Sequence, residues 1–277
     1  VPENYQYTFA TFFPKGEMVA MIRRSVSSSS QLSDQLEKLP TSEVAVMNRD
    51  GTDFQVISIP KGIIVTLSIS PDEKKIAYWV AKTIRDPGGK TLITDFDIRE
   101  FDLTTKTERL FAGPFNFFGA GRINYFNDST LLISGFAPKV IPVSIQEYSK
   151  KFNYSRIYEI YREQKEISPP IFTKNRDAHE PVLDRQKNFY LIDYPESSGM
   201  ALTKISFDGK YFSWRAPDLK NNSFFRIAVS PSGKYLAFTY GDRKLAIGLF
   251  QFDQETWSPI SIPPPNNALS IPVKPVG

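Results

Sequence analysis

Two stretches decide the fold: Thr66-Leu67-Ser68-Ile69-Ser70-Pro71-Asp72-Glu73-Lys74-Lys75-Ile76-Ala77-Tyr78 and Arg226-Ile227-Ala228-Val229-Ser230-Pro231-Ser232-Gly233-Lys234-Tyr235-Leu236-Ala237-Phe238. Each alternates apolar and polar residues, turns sharply at a proline-led polar run, and resumes an apolar strand. Each therefore reads as a β-hairpin with one buried face.

Weaker copies surround them, at Phe12–Ala20, Tyr125–Asp128 and Val182–Arg185. With Pro14, Pro71, Asn127, Asp184 and Pro231 as anchors, the steps are 57, 56, 57 and 47 residues. A second hairpin follows each anchor. Its first strand is Val44–Met47, Ile98–Phe101, Ile157–Ile160, Leu202–Ile205 and Ala246–Leu249 in turn, and its bends are Asp50-Gly51, Thr104-Thr105, Glu163-Gln164, Asp208-Gly209 and Gln254-Glu255. Each unit is thus a meander of four antiparallel strands. One such sheet cannot bury both faces, so the units must stack, and closing the stack into a ring protects its ends. The expectation is an all-β chain: a β-propeller of four-stranded blades, five of them, spanning 1–262. A proline-rich tail follows at 263–277.

The Ser70–Ala77 and Ser230–Ala237 stretches resemble the strand–turn–strand core of TolB-type, WD-repeat-like propeller repeats. Similar repeats build the propeller domains of prolyl-oligopeptidase-family enzymes. The resemblance is carried well by two of the five units, with Asp50-Gly51 and Asp208-Gly209 fitting the outer turn. It implies the fold and leaves the activity open. TolB-type rings usually have six blades, so six is the alternative count.

Composition narrows the chemistry. The 277 residues hold 22 Phe, 13 Tyr and 3 Trp, enough for a large core, and 34 basic against 30 acidic side chains give a mild charge of +4. With no cysteine there are no disulfides, thiolate nucleophiles or cysteine metal sites, and one histidine, His179, excludes multi-histidine metal sites. No metal and no cofactor are expected. Basic pairs such as Lys74-Lys75 have acidic neighbours and sit in turns, so nucleic acid is not an expected partner. No apolar run is long enough to span a bilayer. The chain begins at Val1, so any signal peptide or lipid anchor is expected upstream. An extracytoplasmic protein, periplasmic or at the cell surface, is the expectation.

Repeats of this kind need about 40–45 residues, so each long unit carries roughly ten extra. They fall between the second and third strands: Ser25–Thr41, Lys82–Thr94 around Arg85 and Asp86, and Ala137–Ser155 with Tyr148 and Tyr154. In a meander these loops leave on the same side as the links between blades. Two links stand out. Residues 112–119 read as a loop holding Phe115, Phe117 and Phe118, and residues 174–180 gather Arg176, Asp177, His179 and Glu180. Long loops, aromatics and titratable groups on one side of a rigid scaffold describe a binding face. Capping of the ring by the same loops is the plainer alternative.

Catalysis has less support. No G-x-S-x-G elbow exists for a triad with His179, and the hydrolase domain that accompanies peptidase propellers would need some two hundred further residues. Asp95 and Asp97, or Asp184, are the carboxylates that a glycosidase-like propeller would place over its channel, but spacing alone does not make them converge. The expected function is non-catalytic binding of a protein partner or extracytoplasmic ligand. A glycosidase-like hydrolase and an architectural subunit of an envelope assembly are the alternatives. A short helix over 144–152, an outer edge strand ending near Ile262, and N-x-S sequons at Asn127, Asn153 and Asn221 complete the expectations.

Overall fold

Alternation of buried and solvated residues produces strands throughout. The computed structural model describes residues 5–25, 42–85, 91–115, 120–136, 155–167, 171, 177–194, 201–208, 210–215, 223–241 and 246–260. Every regular element among them is a strand. The first blade comprises β1 (Tyr5–Phe12), β2 (Met18–Ser25), β3 (Ser42–Asn48) and β4 (Gln55–Ser58), and the second β5 (Ile63–Ile69), β6 (Lys75–Arg85), β7 (Thr91–Asp102) and β8 (Thr107–Phe115). The third holds β9 (Ala120–Asn127), β10 (Thr130–Phe136) and β11 (Ser155–Tyr161). The fourth holds β12 (Asp177–Leu183), β13 (Phe189–Tyr194), β14 (Ala201–Ile205) and β15 (Tyr211–Arg215). The fifth holds β16 (Ser223–Val229), β17 (Tyr235–Gly241), β18 (Ala246–Gln251) and β19 (Thr256–Ile260). Within each sheet, strands pair antiparallel in chain order. In the third, Ile171 N–H donates to the Ile157 carbonyl at 2.9 Å, at the edge of β11 where a fourth strand belongs. The result is a five-bladed propeller.

The quoted motif, or its equivalent, closes the inner turn in four of the blades. Ser70 N–H donates to the Lys75 carbonyl (2.9 Å), and Asp72 Oδ1 accepts from the Ser70 hydroxyl (2.7 Å) and the Lys74 N–H (3.1 Å). Ser230 and Tyr235 repeat the first bond at 2.8 Å, Phe13 and Met18 at 2.9 Å, and Asp184 and Asn188 at 3.2 Å.

Blades stack through shared apolar cores. Ile22 and Val44 of the first pack with Ile64 and Tyr78 of the second, and Trp79 and Phe96 of the second with Ile123 and Leu131 of the third. Ile157 meets Leu191 and Ile205 across the next interface, and Tyr190 and Leu202 meet Leu236 and Phe250 across the one after. The remaining seam differs. The other face of the first blade forms a cluster of its own, Val19, Met21 and Ala45 with Tyr7, Met47 and Phe54, that includes no fifth-blade residue among those described.

Three boundaries differ from the sequence reading. Lys82–Thr94 is mostly strand: β6 and β7 stay paired out to Arg85 and Thr91, because Thr83, Ile84, Leu92 and Ile93 prolong the ladder. Residues 112–115 belong to β8, and residues 177–180 open β12, so both supposed links start or end inside strands. The helix expected at 144–152 and the tail at 263–277 lie outside the described residues.

Candidate functional site

Antiparallel order fixes which strand ends share a side. Each inner strand (β1, β5, β9, β12, β16) starts on the side where the second strand of its blade ends. The exits at 25/42, 85/91, 136/155, 194/201 and 241/246 therefore lie on one side of the ring.

Every inner strand carries an irregularity in its pairing part-way along: at Tyr7/Phe9, at Ile64/Leu67, opposite Ile133/Gly135 in β9, at His179/Val182 and at Phe224/Arg226. A bulge breaks the ladder and re-aims a side chain. Counting back four residues from the turn-opening Phe13, Ser70, Asp184 and Ser230 gives Phe9, Thr66, Glu180 and Arg226. In β9, Arg122 lies within the irregular stretch between Ala120 and Ile123. Glu180 has φ +52°, a left-handed value that few non-glycine residues adopt.

Three of these residues meet across the axis. Arg226 Nη1 lies 2.5 Å from Glu180 Oε1, and Arg122 Nη1 lies 3.4 Å from Glu180 Oε2. The same Arg122 nitrogen donates to the Ile227 carbonyl at 2.7 Å, and Arg122 N–H donates to Ser134 Oγ at 2.9 Å. Burial lowers the Arg122 pKa; Glu180 opposes that shift and Arg226 adds to it. Two guanidinium groups share one carboxylate, so the cluster carries one net positive charge.

The cluster opens into a cleft of ≈ 380 Å³ at the loosely packed seam. One wall is β1, with Phe9, Ala10, Thr11 and Phe12. The other is the fifth blade, with Ala228, Ala237, Phe238, Thr239 and Ile247; Arg122 and Arg226 close the axial end. The Thr239 hydroxyl is buried without a hydrogen-bond partner.

The residues expected from sequence divide clearly. Glu180 sits in the cluster. His179, half-buried, pairs with Ile192, and the Asp177 backbone pairs with Tyr194. Phe115, 2% exposed, packs in the core with Trp79, Phe96 and Phe111. Arg85 ends β6 opposite Thr91. Asp86, Phe117, Phe118, Tyr148, Tyr154 and Arg176 lie outside the described residues. Asp97 is buried 3.7 Å from Arg99, whereas Asp184 accepts from the Gln186 and Asn188 N–H groups and the Tyr190 hydroxyl, so it holds a turn. No trio of metal-ligating side chains clusters among the described residues, and none of their helices is long and apolar enough to cross a membrane. Sequence reading missed Arg122 and Arg226. The signal was available: both lie five residues before an anchor, at Asn127 and Pro231.

No family model matches the sequence, and no curated protein matches it. Solved structures do. TolB from Acinetobacter baumannii is similar at 15% identity and TM-score 0.52, over 79% of this chain and 48% of that one. A putative TolB from Agrobacterium tumefaciens aligns at 12% identity and TM-score 0.53, over 92% and 80%. A Mycobacterium tuberculosis puromycin-hydrolyzing peptidase aligns at 10% identity and TM-score 0.59, over 94% and 38%. The fold is TolB-like. The chain thus spans about half the length of the Acinetobacter protein, and at these identities the likeness is one of fold.

Proposed function

We propose that this propeller is a non-catalytic binding module that takes a protein partner or extracytoplasmic ligand on the side where the second strands end. The observation supporting the reading is the convergence of Arg122, Glu180 and Arg226, three or four residues into their strands from that side, on an open cleft. A rigid ring that gathers its longest connections and an unbalanced charge at one mouth is suited to recognition. Phe117, Phe118, Tyr148, Tyr154 and Arg176 belong to connections leaving the same side and are proposed as contacts.

Partner capture from the native host tests this. The paired variants Phe117→Ala/Phe118→Ala and Tyr148→Ala/Tyr154→Ala should lose a partner that the wild type retains. Lys74→Glu and Lys234→Glu, in turns on the opposite side, should keep it. The reverse pattern would overturn the assignment of the face.

A further inference from the structure

We propose that the cleft between the first and fifth blades binds the carboxylate of an apolar ligand, the acid group held by Arg226 and Arg122 and the apolar body by Ala10, Phe12, Ala237 and Ile247. The inference rests on the binding reading above and names the class of ligand.

Charge comes first. Glu180 can neutralise one guanidinium, and two converge on it. Arg226 uses Nη1 for that contact, and its side chain is 56% exposed. Its Nε and Nη2 have no partner among the described residues. Nor do those of Arg122, whose Nη1 serves both Glu180 and Ile227. A planar carboxylate fits such a fork with two parallel N–H···O bonds. One negative charge restores balance, whereas a dianion such as phosphate would overshoot it.

The walls specify the remainder. Beyond the arginines the cleft is lined mainly by apolar residues, among them Ala10, Phe12, Ala228, Ala237 and Ile247, with Thr11 and Thr239 the polar ones. A volume of ≈ 380 Å³ is at the small end for ligand pockets and suits one apolar residue with its terminal carboxylate, or an aryl-alkyl acid. The seam provides this space because, among the described residues, its two sheet faces share no core cluster, unlike the other four interfaces.

The test uses the full chain, isothermal titration, and three probes: N-acetyl-Gly-Ala-Phe, its C-terminal amide, and 3-phenylpropionate. The tripeptide acid should bind at least about tenfold more tightly than the amide. Arg226→Gln should remove that preference; because Arg226 is the nearer partner of the buried Glu180 carboxylate, Arg226→Lys, which keeps the charge and loses the fork, is the stability control and should also weaken acid binding. Glu180→Gln should act in the opposite direction and tighten acid binding, because it frees both guanidinium groups from their internal partner. A merely structural cluster would weaken with both substitutions. If 3-phenylpropionate matches the tripeptide acid, the ligand is a small free acid; if only the tripeptide binds, it is a peptide C-terminus. Either result supports the proposal. Equal binding of acid and amide, no saturation by either acid at millimolar concentration, or loss of affinity in Glu180→Gln would overturn it. In each of those cases the partner-capture experiment still stands as a separate test of the binding face.

Discussion

Glu100→Ala should destabilise the ring by about 3 kcal/mol, because one buried carboxylate joins the second and third blades. Glu100 is fully buried in β7. Its Oε1 accepts from Arg109 Nε (3.0 Å) and Nη2 (2.8 Å) and from Arg162 Nη1 (3.1 Å); its Oε2 accepts from Arg162 Nη2 and the Tyr125 hydroxyl, both at 2.9 Å. Breaking a buried pair on one side costs about 3–5 kcal/mol. The lower end applies here, since Arg109 is 55% exposed and re-solvates, and Arg162 keeps the Asp128 carbonyl at 2.7 Å. Tyr125, 6% exposed, loses its acceptor outright, at a cost of about 1–3 kcal/mol. The double variant with Tyr125→Phe should therefore cost less than the sum of the singles, by about 1 kcal/mol. Urea unfolding followed by tryptophan fluorescence measures both. A loss below about 1 kcal/mol with additive doubles would refute the reasoning. The pH dependence has a definite sign. Burial pushes the Glu100 carboxyl up, but Arg162, Arg109 and Tyr125 outweigh it and hold its pKa below the usual range. A depressed carboxylate stabilises above its unfolded pKa, about 4, and that contribution fades as pH falls through the folded value. The gap between wild type and Glu100→Gln should be flat near neutrality and shrink in acid.

Other outcomes follow from the same geometry. Phe115→Ala should cost about 3–5 kcal/mol in denaturant titration and leave affinity at the cleft unchanged. Phe12→Ala, at a side chain 60% exposed, should stay within about 0.5 kcal/mol of wild type while weakening apolar acids. Gly62→Ala would drive its new methyl to 2.6 Å from the Ala81 carbonyl oxygen at φ +139°, whereas Gly16→Ala at φ +79° meets nothing within 4 Å. The first should lower the melting temperature several degrees more than the second. Hydrogen exchange should be faster in β1 and β16, which flank the seam, than in β5, whose residues join shared cores on both faces.

The repeat made the scaffold legible because strand and turn chemistry are local. Ser70-Pro71-Asp72 and Ser230-Pro231-Ser232 announce their hairpins without help from distant residues. The four-strand rhythm then predicts the ring. Phe115 shows where this reasoning stops: it lies in a segment flanked by glycine and proline that reads as a loop, yet pairing with Phe96 in β7 draws it into the core. Residues 177–180 read as a charged link for a similar reason. Their strand character comes from pairing with β13, a tertiary effect. The axial arginines escaped notice because Arg122 and Arg226 lie more than a hundred residues apart and are ordinary until the ring superposes their registers. Comparing units position by position, rather than reading for motifs, exposes them.

Absence of cysteine makes the ring itself directly measurable. Spin labels on paired cysteines at exposed outer-turn positions report blade order: Arg49→Cys with Thr104→Cys for neighbours, Arg49→Cys with Lys165→Cys for blades one apart, and Arg49→Cys with Gln254→Cys across the seam. In a closed five-bladed ring the seam pair should give a distance close to the first pair and shorter than the second. A seam distance longer than that from the first to the third blade would mean an open stack, with no axial cluster and no cleft.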